Sequence, residues 1–413
     1  MNSIQDYFRF CNKKTKSEIL KLADQLEDEH IVMINSTPSG GGVAEILNSL
    51  VLLLNDLGLD VGWRILKGSD DFFQVTKEFH NGLQGEKVSI NRRKKGLYEN
   101  TNCINARSTH IERHDLVVVH DPQPLALIEY YKKRIPWILR LHIDLSNPDQ
   151  KVLEYLKSYI EQYDSVIISH KKYKLKNLAV QQLIMPPSID PLNMKNRPMS
   201  NDSMIGILKK HGITLHKPII AQISRFDKWK DPIGVIKVFE KIQKEYDCQL
   251  VLLGNLSIDD PEAPEILRKV RQRARNNKDI TILLNVEDND RMVNALQSVS
   301  EVVLQKSLKE GFALTVSEAM WKGTPVVGSR VGGIPLQIKD GQTGFLVNNI
   351  SQASQACLKI ITNKKRRNRM GRAAKKRVRN NFLITRHILD YLRLFDFYLN
   401  QNHQYNIGQK YPY

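Results

Sequence analysis

Residues 30–66, HIVMINSTPSGGGVAEILNSLVLLLNDLGLDVGWRIL, decide the fold class of this chain. They open with a short apolar run typical of a buried strand, and three glycines then lead into an apolar segment of helical length at Val43–Leu57. A second apolar run, Asp60–Leu66, predicts another strand. Strand, helix and strand in this order make a βαβ unit, in which a parallel sheet is covered by helices.

Further apolar runs repeat this pattern along the chain. In the first half they predict strands at Asp115–Val119, Trp137–Leu141 and Ser165–Ile168, and from Pro218 to Val347 strands alternate with helices. The sequence therefore predicts an α/β protein with two doubly wound, Rossmann-like domains that face each other across a cleft. In such sheets ligands bind beyond the carboxyl ends of the strands.

The domain boundary is predicted from a polar, proline-rich segment at residues 185–198. We expect an N-terminal domain at residues 1–195 and a C-terminal domain at residues 196–380. Residues 381–413 are expected to form a C-terminal helix that crosses back to the first domain. A length of 413 residues suits two domains of ordinary size.

Composition narrows the function classes. A hydrophobic content of 41% with 26% charged residues is typical of a globular protein, and no apolar run is long enough to span a bilayer. The N-terminus lacks the pattern of a signal peptide. The four cysteines are widely spaced in the sequence, which predicts a reducing, cytoplasmic environment and no cysteine metal centre.

The unusual bulk property is a net charge of +18. Its densest basic run, residues 364–379, alternates with small and apolar residues at helical spacing and contains no aromatic residue. Nucleic-acid surfaces usually combine basic residues with stacking aromatics. We therefore interpret the run as a solvated helix face and expect no nucleic-acid partner.

The glycine-rich loop Ser39–Gly42 lies between a predicted strand and a predicted helix. Glycines allow close backbone approach to a ligand, and a helix N-terminus offers unpaired N–H groups to an anion. The loop lacks the spacing of a dinucleotide or Walker motif. A plain tight turn is the alternative interpretation.

A second candidate loop, Ser224–Pro232, follows a strand of the second domain. Arg225 and Lys230 could flank a diphosphate there, since arginine supplies a planar fork of donors and lysine a point charge. The alternative is a surface turn in which Asp231 caps the next helix ahead of Pro232.

The most specific segment is residues 306–319, KSLKEGFALTVSEA. Because Gly311 favours a loop, we place Glu310 on that loop and Glu318 in the first turn of the helix that follows. The N–H groups of the helix start suit a phosphate, and the two carboxylates suit sugar hydroxyls. Glutamates on a helix surface are the alternative interpretation.

Polar residues also follow two neighbouring strands of the first domain, at 120–124 (HDPQP) and 142–144 (HID). A lone histidine in such a place is usually a packed polar residue, but two clusters at neighbouring strand ends favour a site. Asp288 and Asp290 have the spacing of a metal-binding Asp-x-Asp. We interpret them as the N-cap of a helix, and we expect no metal site.

The two predicted domains, Arg225 with Lys230, and Glu310 with Glu318 as Glu-x7-Glu resemble the retaining, nucleotide-sugar glycosyltransferases of family four, which have the GT-B fold. Further stretches are similar to the glycosyltransferring trehalose synthases of that family: residues 34–45, 79–84, 120–124, 142–146, 186–191 and 303–307. The chain is also similar to trehalose phosphorylases of the fungal type. Ala313 stands where the family often has glycine.

The resemblance implies a retaining, reversible transfer that makes α,α-trehalose from a nucleoside diphosphate glucose, such as UDP-glucose or ADP-glucose, and glucose. It implies these small-molecule partners, no cofactor and no metal, no membrane span, and it allows a homodimer. The alternatives are a phosphorylase that uses glucose 1-phosphate and a family-four transferase with another sugar acceptor. A more distant alternative is a non-catalytic basic binding protein.

The resemblance also implies roles for individual residues. The catalytic set is Arg225 and Lys230 on the donor diphosphate, Glu310 on hydroxyls of the transferred glucose and His142 at its 6-hydroxyl. Donor-binding residues are expected at Gly41, Gly42, Ser224, Gly311, Phe312, Ala313, Leu314, Thr315 and Glu318. Acceptor-binding residues are expected at Asn35, Asp121, Gln123 and Asp144.

Overall fold

The structure is a computed structural model that describes residues 2–39, 41–255 and 263–400. Gly40 of the predicted glycine loop and residues 401–413 of the predicted C-terminal segment lie outside the described residues. The chain divides into two compact units, Met1–Ser188 with Ile384–Tyr413, and Ile189–Leu383. The chain thus crosses between the units at residues 188/189 and 383/384, whereas the sequence predicted domain boundaries at residues 195/196 and 380/381.

The strands of the described chain are β1 (His30–Asn35), β2 (Asp60–Ile65), β3 (Leu116–His120), β4 (Trp137–Arg140), β5 (Ser165–Ile168), β6 (Gln181–Ile184), β7 (Ile219–Ile223), β8 (Gln249–Gly254), β9 (Ile280–Leu284), β10 (Val302–Gln305), β11 (Val326–Ser329) and β12 (Gly344–Val347). The helices are α1 (Ile4–Tyr7), α2 (Lys13–Asp24), α3 (Gly42–Asp56), α4 (Asp70–Leu83), α5 (Arg92–Thr109), α6 (Gln150–Ile160), α7 (Asn201–Lys210), α8 (Pro232–Gln243), α9 (Ala263–Ala274), α10 (Asn289–Val299), α11 (Leu314–Lys322), α12 (Ile334–Gln337), α13 (Ile350–Ile361), α14 (Lys364–Asn381) and α15 (Ile384–Leu399).

The described strands of the first unit form one parallel sheet in the order β2-β1-β3-β4-β5-β6. β3 and β4 are buried along their whole length, so their apolar side chains face helices on both sides. The chain leaves β1 towards β2 on one side, while β3 lies on the other side of β1. This change of direction opens a crevice beyond the carboxyl ends of β1 and β3, where doubly wound sheets bind ligands.

The second unit has a parallel sheet in the order β12-β11-β10-β7-β8-β9. Numbered within the unit, this is the 3-2-1-4-5-6 order of dinucleotide-binding domains. The change of direction falls between β7 and β10, so the loops after these two strands flank the crevice. The predicted fold class of two doubly wound α/β domains is confirmed.

The end of the chain differs from the prediction of one helix from Asn381. α14 ends at Asn381 and α15 begins at Ile384, because Phe382 and Leu383 have non-helical backbone and Leu383 forms a β-bridge with Ile189. α15 belongs to the first unit, packs against α2 and α3, and forms the Arg393–Glu18 ion pair.

No described helix is both long and apolar enough to cross a membrane.

Candidate active site

The loop after β7 is shaped by two aspartate caps. Asp227 begins a 3-10 turn at Lys228–Lys230 and accepts hydrogen bonds from the N–H groups of Trp229 (2.8 Å) and Lys230 (3.1 Å). Asp231 has a left-handed backbone (φ +47°) and caps α8 by accepting the N–H of Gly234 (2.9 Å). Asp231 therefore has the capping role that the alternative interpretation gave it, and the same turn holds Lys230 in place.

The Lys230 ammonium lies 2.5 Å from Oε2 of Glu310, which comes from the loop after β10. The Glu310 side chain is 9% exposed and that of Lys230 is 18% exposed, so the pair is shielded from water. Ser307 donates its hydroxyl to the same carboxylate oxygen (3.2 Å), and Gln305 donates to the Ser307 hydroxyl (3.1 Å). The structure thus brings together two of the four predicted catalytic residues, 80 positions apart in sequence.

Two further contacts hold the loops after β7 and β10 together. Lys306 forms an ion pair with Asp231. The Thr315 hydroxyl, at the start of α11, donates to the Ile223 carbonyl at the end of β7 (3.2 Å). Arg225 lies on the same loop as Lys230, with its guanidinium 3.8 Å from the Asp227 carboxylate and its side chain 36% exposed. This arginine is partly exposed to solvent.

The turn around Gly333 and α12 packs against the segment between Glu310 and α11. The Gln337 side chain donates to the carbonyl oxygens of Phe312 and Ala313, and accepts the Ser317 hydroxyl (2.6 Å). A Cβ atom on Gly333 would lie 2.5 Å from the Gly311 carbonyl oxygen. The backbone that leads into α11 is therefore set by close packing.

α11 begins immediately after Ala313, which has a left-handed backbone (φ +70°) and makes no side-chain cap. The first N–H groups of a helix have no intrahelical acceptor and favour an anion. Leu314 and Thr315 supply two of these groups, at the crevice between β7 and β10. The helix start has the properties expected of a phosphate site.

Glu318 was predicted in the first turn of this helix, and this prediction is wrong. The helix begins at Leu314, so Glu318 is its fifth residue and lies in the second turn. Glu318 is 3% exposed and accepts a hydrogen bond from Gln297 (3.2 Å). Its carboxylate is thus oriented by a buried amide.

In the first unit, β1 ends at Asn35, whose side chain is held by two hydrogen bonds. Its amide donates to the Thr37 carbonyl (2.7 Å), and its oxygen accepts the Trp63 indole N–H (2.8 Å). The glycine loop then leads into α3, with Gly41 at the N-cap and Gly42 as the first helical residue. The start of α3 therefore also presents N–H groups at the β1–β3 crevice.

His142 and Asp121 come together at the ends of β3 and β4. The backbone N–H of His142 donates to the Asp121 carboxylate (2.8 Å), and Asp121 has a left-handed backbone (φ +65°). Nδ1 of His120 lies 3.0 Å from Nε2 of His142, and the centroids of the two stacked rings are 5.3 Å apart. Sequence analysis did not assign His120 a site role, although it noted its place in the HDPQP stretch.

Burial controls the protonation of this cluster. It lowers the pKa of His120 to about 3, with a further contribution from the positive charge of Arg140, and it lowers the pKa of His142 well below its usual value. Burial raises the pKa of Asp121 to about 7. Near neutral pH both histidines are uncharged, and Asp121 is close to its titration midpoint.

The other predicted acceptor residues make local contacts. Asp144 is 5% exposed and accepts the N–H of Ser146 in its own loop (2.9 Å). Gln123 is held through its backbone carbonyl, which accepts from Asn102 (3.2 Å). Its side-chain oxygen is buried and has no hydrogen-bond partner among the described residues.

No described group of three or more His, Cys, Asp or Glu side chains is arranged to hold a metal ion. Asp288 stands at the N-cap position of α10 with a left-handed backbone (φ +54°). Its carboxylate does not cap the helix as predicted, because it pairs instead with Arg291 (3.2 Å). The absence of a metal requirement stays a prediction.

Comparison with known proteins covers both units. A family model described as the N-terminal domain of trehalose synthase matches residues 33–175, and one for group 1 glycosyl transferases matches residues 206–377. The trehalose synthase of Thermococcus litoralis is 42% identical over 95% of this chain and 96% of that protein. The trehalose synthase of Rubrobacter xylanophilus is 41% identical over the same shares.

More distant matches include one further sequence relative and one solved structure. The trehalose phosphorylase of Pleurotus sajor-caju is 27% identical over 84% of this chain and 55% of that protein. The solved structure of sucrose-phosphate synthase from Thermosynechococcus elongatus superposes with a TM-score of 0.73 at 18% identity, over 91% of this chain and 100% of that chain. This last likeness shows the fold.

Two parallel doubly wound sheets, matched across both units by these proteins, define a glycosyltransferase with the GT-B fold. The resemblance found in the sequence is confirmed. With 42% identity over 95% of its length, the chain belongs to the trehalose synthase family and is a trehalose-related glycosyltransferase.

Proposed function

We propose that this protein makes α,α-trehalose by reversible transfer of glucose from a nucleoside diphosphate glucose to the anomeric hydroxyl of free glucose, with retention. The observation that carries the proposal is the shielded Lys230–Glu310 pair at the β7–β10 crevice, in a chain 42% identical to a trehalose synthase. A carboxylate held by a lysine and a hydroxyl is suited to accept hydrogen bonds from sugar hydroxyls.

The proposed chemistry is a front-face displacement. The bond between the glucose C1 and the donor phosphate oxygen breaks, and the acceptor O1 bonds to C1 from the same face. The departing phosphate oxygen takes the acceptor proton, so the products are trehalose and the nucleoside diphosphate. Lys230 and Arg225 stabilise the charge that develops on the diphosphate, and the rest of the rate enhancement comes from positioning.

The remaining residues bind the substrates in this proposal. Backbone N–H groups at the start of α11 hold the donor phosphate, and Glu318 accepts hydrogen bonds from the ribose hydroxyls. Ser224 and the segment Gly311–Thr315 line the donor, while Gly41 and Gly42 lie beside its phosphate. The acceptor-binding residues are Asn35, Asp121, Gln123 and Asp144.

In this proposal Lys230 and Arg225 supply the positive charge that a divalent metal supplies in other transferases. We therefore expect full activity in the presence of a chelator. Purified protein assayed with and without EDTA at saturating donor checks this expectation, with metal added back as the control. Loss of turnover in EDTA that returns with one cation would overturn it.

The test of the reaction itself is an assay with UDP-glucose, and separately ADP-glucose, plus free glucose. Products are separated by chromatography and digested with a trehalose-specific hydrolase. Trehalose formed in equal amount to nucleoside diphosphate supports the proposal and identifies the donor. Donor cleavage without trehalose would overturn the acceptor assignment and keep the donor site.

A phosphorylase is the second candidate, and it is favoured by the match to a trehalose phosphorylase over 84% of this chain. The two activities differ in the group that cleaves trehalose. Incubation of trehalose with inorganic phosphate yields glucose 1-phosphate in a phosphorylase, whereas the proposed transferase needs a nucleoside diphosphate. The same preparation is used for both reactions, so protein quality does not affect the comparison.

A further inference from the structure

His120 and His142 form a hydrogen bond between two imidazole rings at the ends of β3 and β4. Nδ1 of His120 and Nε2 of His142 are 3.0 Å apart, so one of the two nitrogens must carry a proton and the other a lone pair. His120 is 1% exposed, while His142 is half-buried. His120 is thus the inner ring of the pair, and His142 is the ring nearer to solvent.

Both rings are neutral, so the bond has two alternative arrangements. Burial and the positive charge of Arg140, which is fully buried in β4, lower the pKa of each histidine. A neutral imidazole carries one N–H and one lone pair. The proton in the shared bond therefore belongs either to His120 Nδ1 or to His142 Nε2, and each choice fixes the tautomer of both rings.

The environment of the other nitrogen of His120 selects between the two arrangements. Nε2 of His120 is buried and has no hydrogen-bond partner among the described residues. Buried N–H groups without an acceptor are rarer in proteins than buried acceptors without a donor. The proton of His120 is therefore on Nδ1.

We propose that His120 is a positioning residue that donates its Nδ1–H to His142 Nε2 and thereby holds His142 in the Nδ1–H tautomer. His142 then presents an N–H donor, rather than a lone pair, to an oxygen of the bound sugar. The inference rests on the proposed function for its substrate, a glucose hydroxyl. The tautomer itself is independent of that function.

The direct test is the tautomer of His142 in the unliganded wild-type protein. Long-range proton–nitrogen NMR spectra of histidine-labelled protein distinguish a protonated from an unprotonated ring nitrogen, and the His142 signals are assigned by their loss in His142→Gln. A protonated Nδ1 and an unprotonated Nε2 in His142 support the proposal. The reverse pattern, or an equal mixture, would overturn it.

Variants of His120 test the consequence for activity. His120→Leu removes the donor, so His142 should gain the Nε2–H tautomer and kcat/KM should fall at least tenfold. His120→Asn keeps an N–H donor near the position of Nδ1 and should restore both the tautomer and most of the activity. The exposed His110, changed to Leu, is the matched control.

The readouts separate the possible failures. If His120→Leu does not fold, the wild-type spectrum still decides the tautomer. If the protein makes no trehalose, the proposed function fails while the tautomer remains measurable. A rise of the Nε2–H form in His120→Leu with unchanged kcat/KM would overturn the positioning role.

Discussion

Lys230 is held at both ends by the fold, which makes it the sharpest single-residue test of the proposed mechanism. Its backbone N–H is capped by Asp227, and its ammonium contacts Glu310. Lys230→Ala should lower kcat by about 10²-fold or more, the effect of removing one donor that stabilises transition-state charge. Steady-state kinetics with the preferred donor measure the change.

The control for this variant is Lys237→Ala, an exposed lysine on α8. Thermal unfolding of both variants shows whether the loss of activity reflects unfolding, because Lys230→Ala also leaves the Glu310 carboxylate without its cation. Normal turnover in folded Lys230→Ala would remove this lysine from the mechanism.

The left-handed backbone of Ala313 (φ +70°) is locally strained. A non-glycine residue in the left-handed region costs about 1–2 kcal/mol, and glycine loses about 0.5–1 kcal/mol more backbone entropy on folding. Ala313→Gly should therefore raise the free energy of unfolding by about 0.5 kcal/mol. The same change at Ala373, inside α14, should lower it by about 1 kcal/mol. Urea denaturation of both variants measures the difference, and equal signs would contradict the argument.

At the scale of elements, the turn before α12 determines the shape of the donor loop. Gly333→Ala places a Cβ atom 2.5 Å from the Gly311 carbonyl oxygen and 2.8 Å from the Phe312 Cα atom, so the loop must shift. A displacement near 1 Å in a positioned site costs about 10²-fold in rate. We expect kcat/KM for the donor to fall by that order.

The matched variant is Gly206→Ala, in α7, where an added Cβ meets nothing within 4 Å. It should stabilise the helix by about 1 kcal/mol and leave the kinetics unchanged. Donor kinetics and thermal unfolding are measured for both alanine variants. Wild-type kinetics in Gly333→Ala would show that the loop does not need this packing.

Among the elements that sequence analysis did not predict, α5 and β6 have little regularly spaced apolar surface. α5 begins with a run of basic residues and has a weak apolar pattern, and its buried face includes Asn102 and Asn105. Asn105 exchanges hydrogen bonds with the backbone of Lys67. Hydrophobic periodicity cannot reveal such a helix, because its partners lie 38 positions away. The edge strand β6, with one fully buried residue, was missed for the related reason that it has little apolar surface to bury.

At the scale of the whole molecule, buried histidines predict how stability depends on pH. Burial lowers the pKa values of His120, His142 and His387, whereas histidines in the unfolded chain titrate near 6.5. Below pH 6.5 the unfolded chain binds more protons than the folded protein, so the free energy of unfolding decreases as the pH falls. Each such histidine contributes about 1.4 kcal/mol per pH unit.

Asp121 changes the pH dependence of the free energy of unfolding in the opposite direction. Its pKa of about 7 in the folded protein exceeds the unfolded value of about 3.9, so between these values the folded protein holds one extra proton and offsets one histidine. Urea denaturation at pH 7.0 and pH 5.5 measures the net effect. His387→Gln should flatten the dependence, and His110→Gln, at an exposed site, should not. A pH-independent stability would contradict the assignment of neutral buried histidines.

The sequence by itself determined the fold class, the family and the loops that follow β7, β10, β3 and β4, because apolar periodicity and motif spacing are local patterns. The tertiary structure alone decided which side chains meet. Lys230 reaches Glu310 across 80 positions, and His120 reaches His142 across 22. These contacts depend on strand order, which places β7 beside β10 and β3 beside β4. Strand order follows from the packing of complete sheets and helices, and no short stretch of residues encodes it.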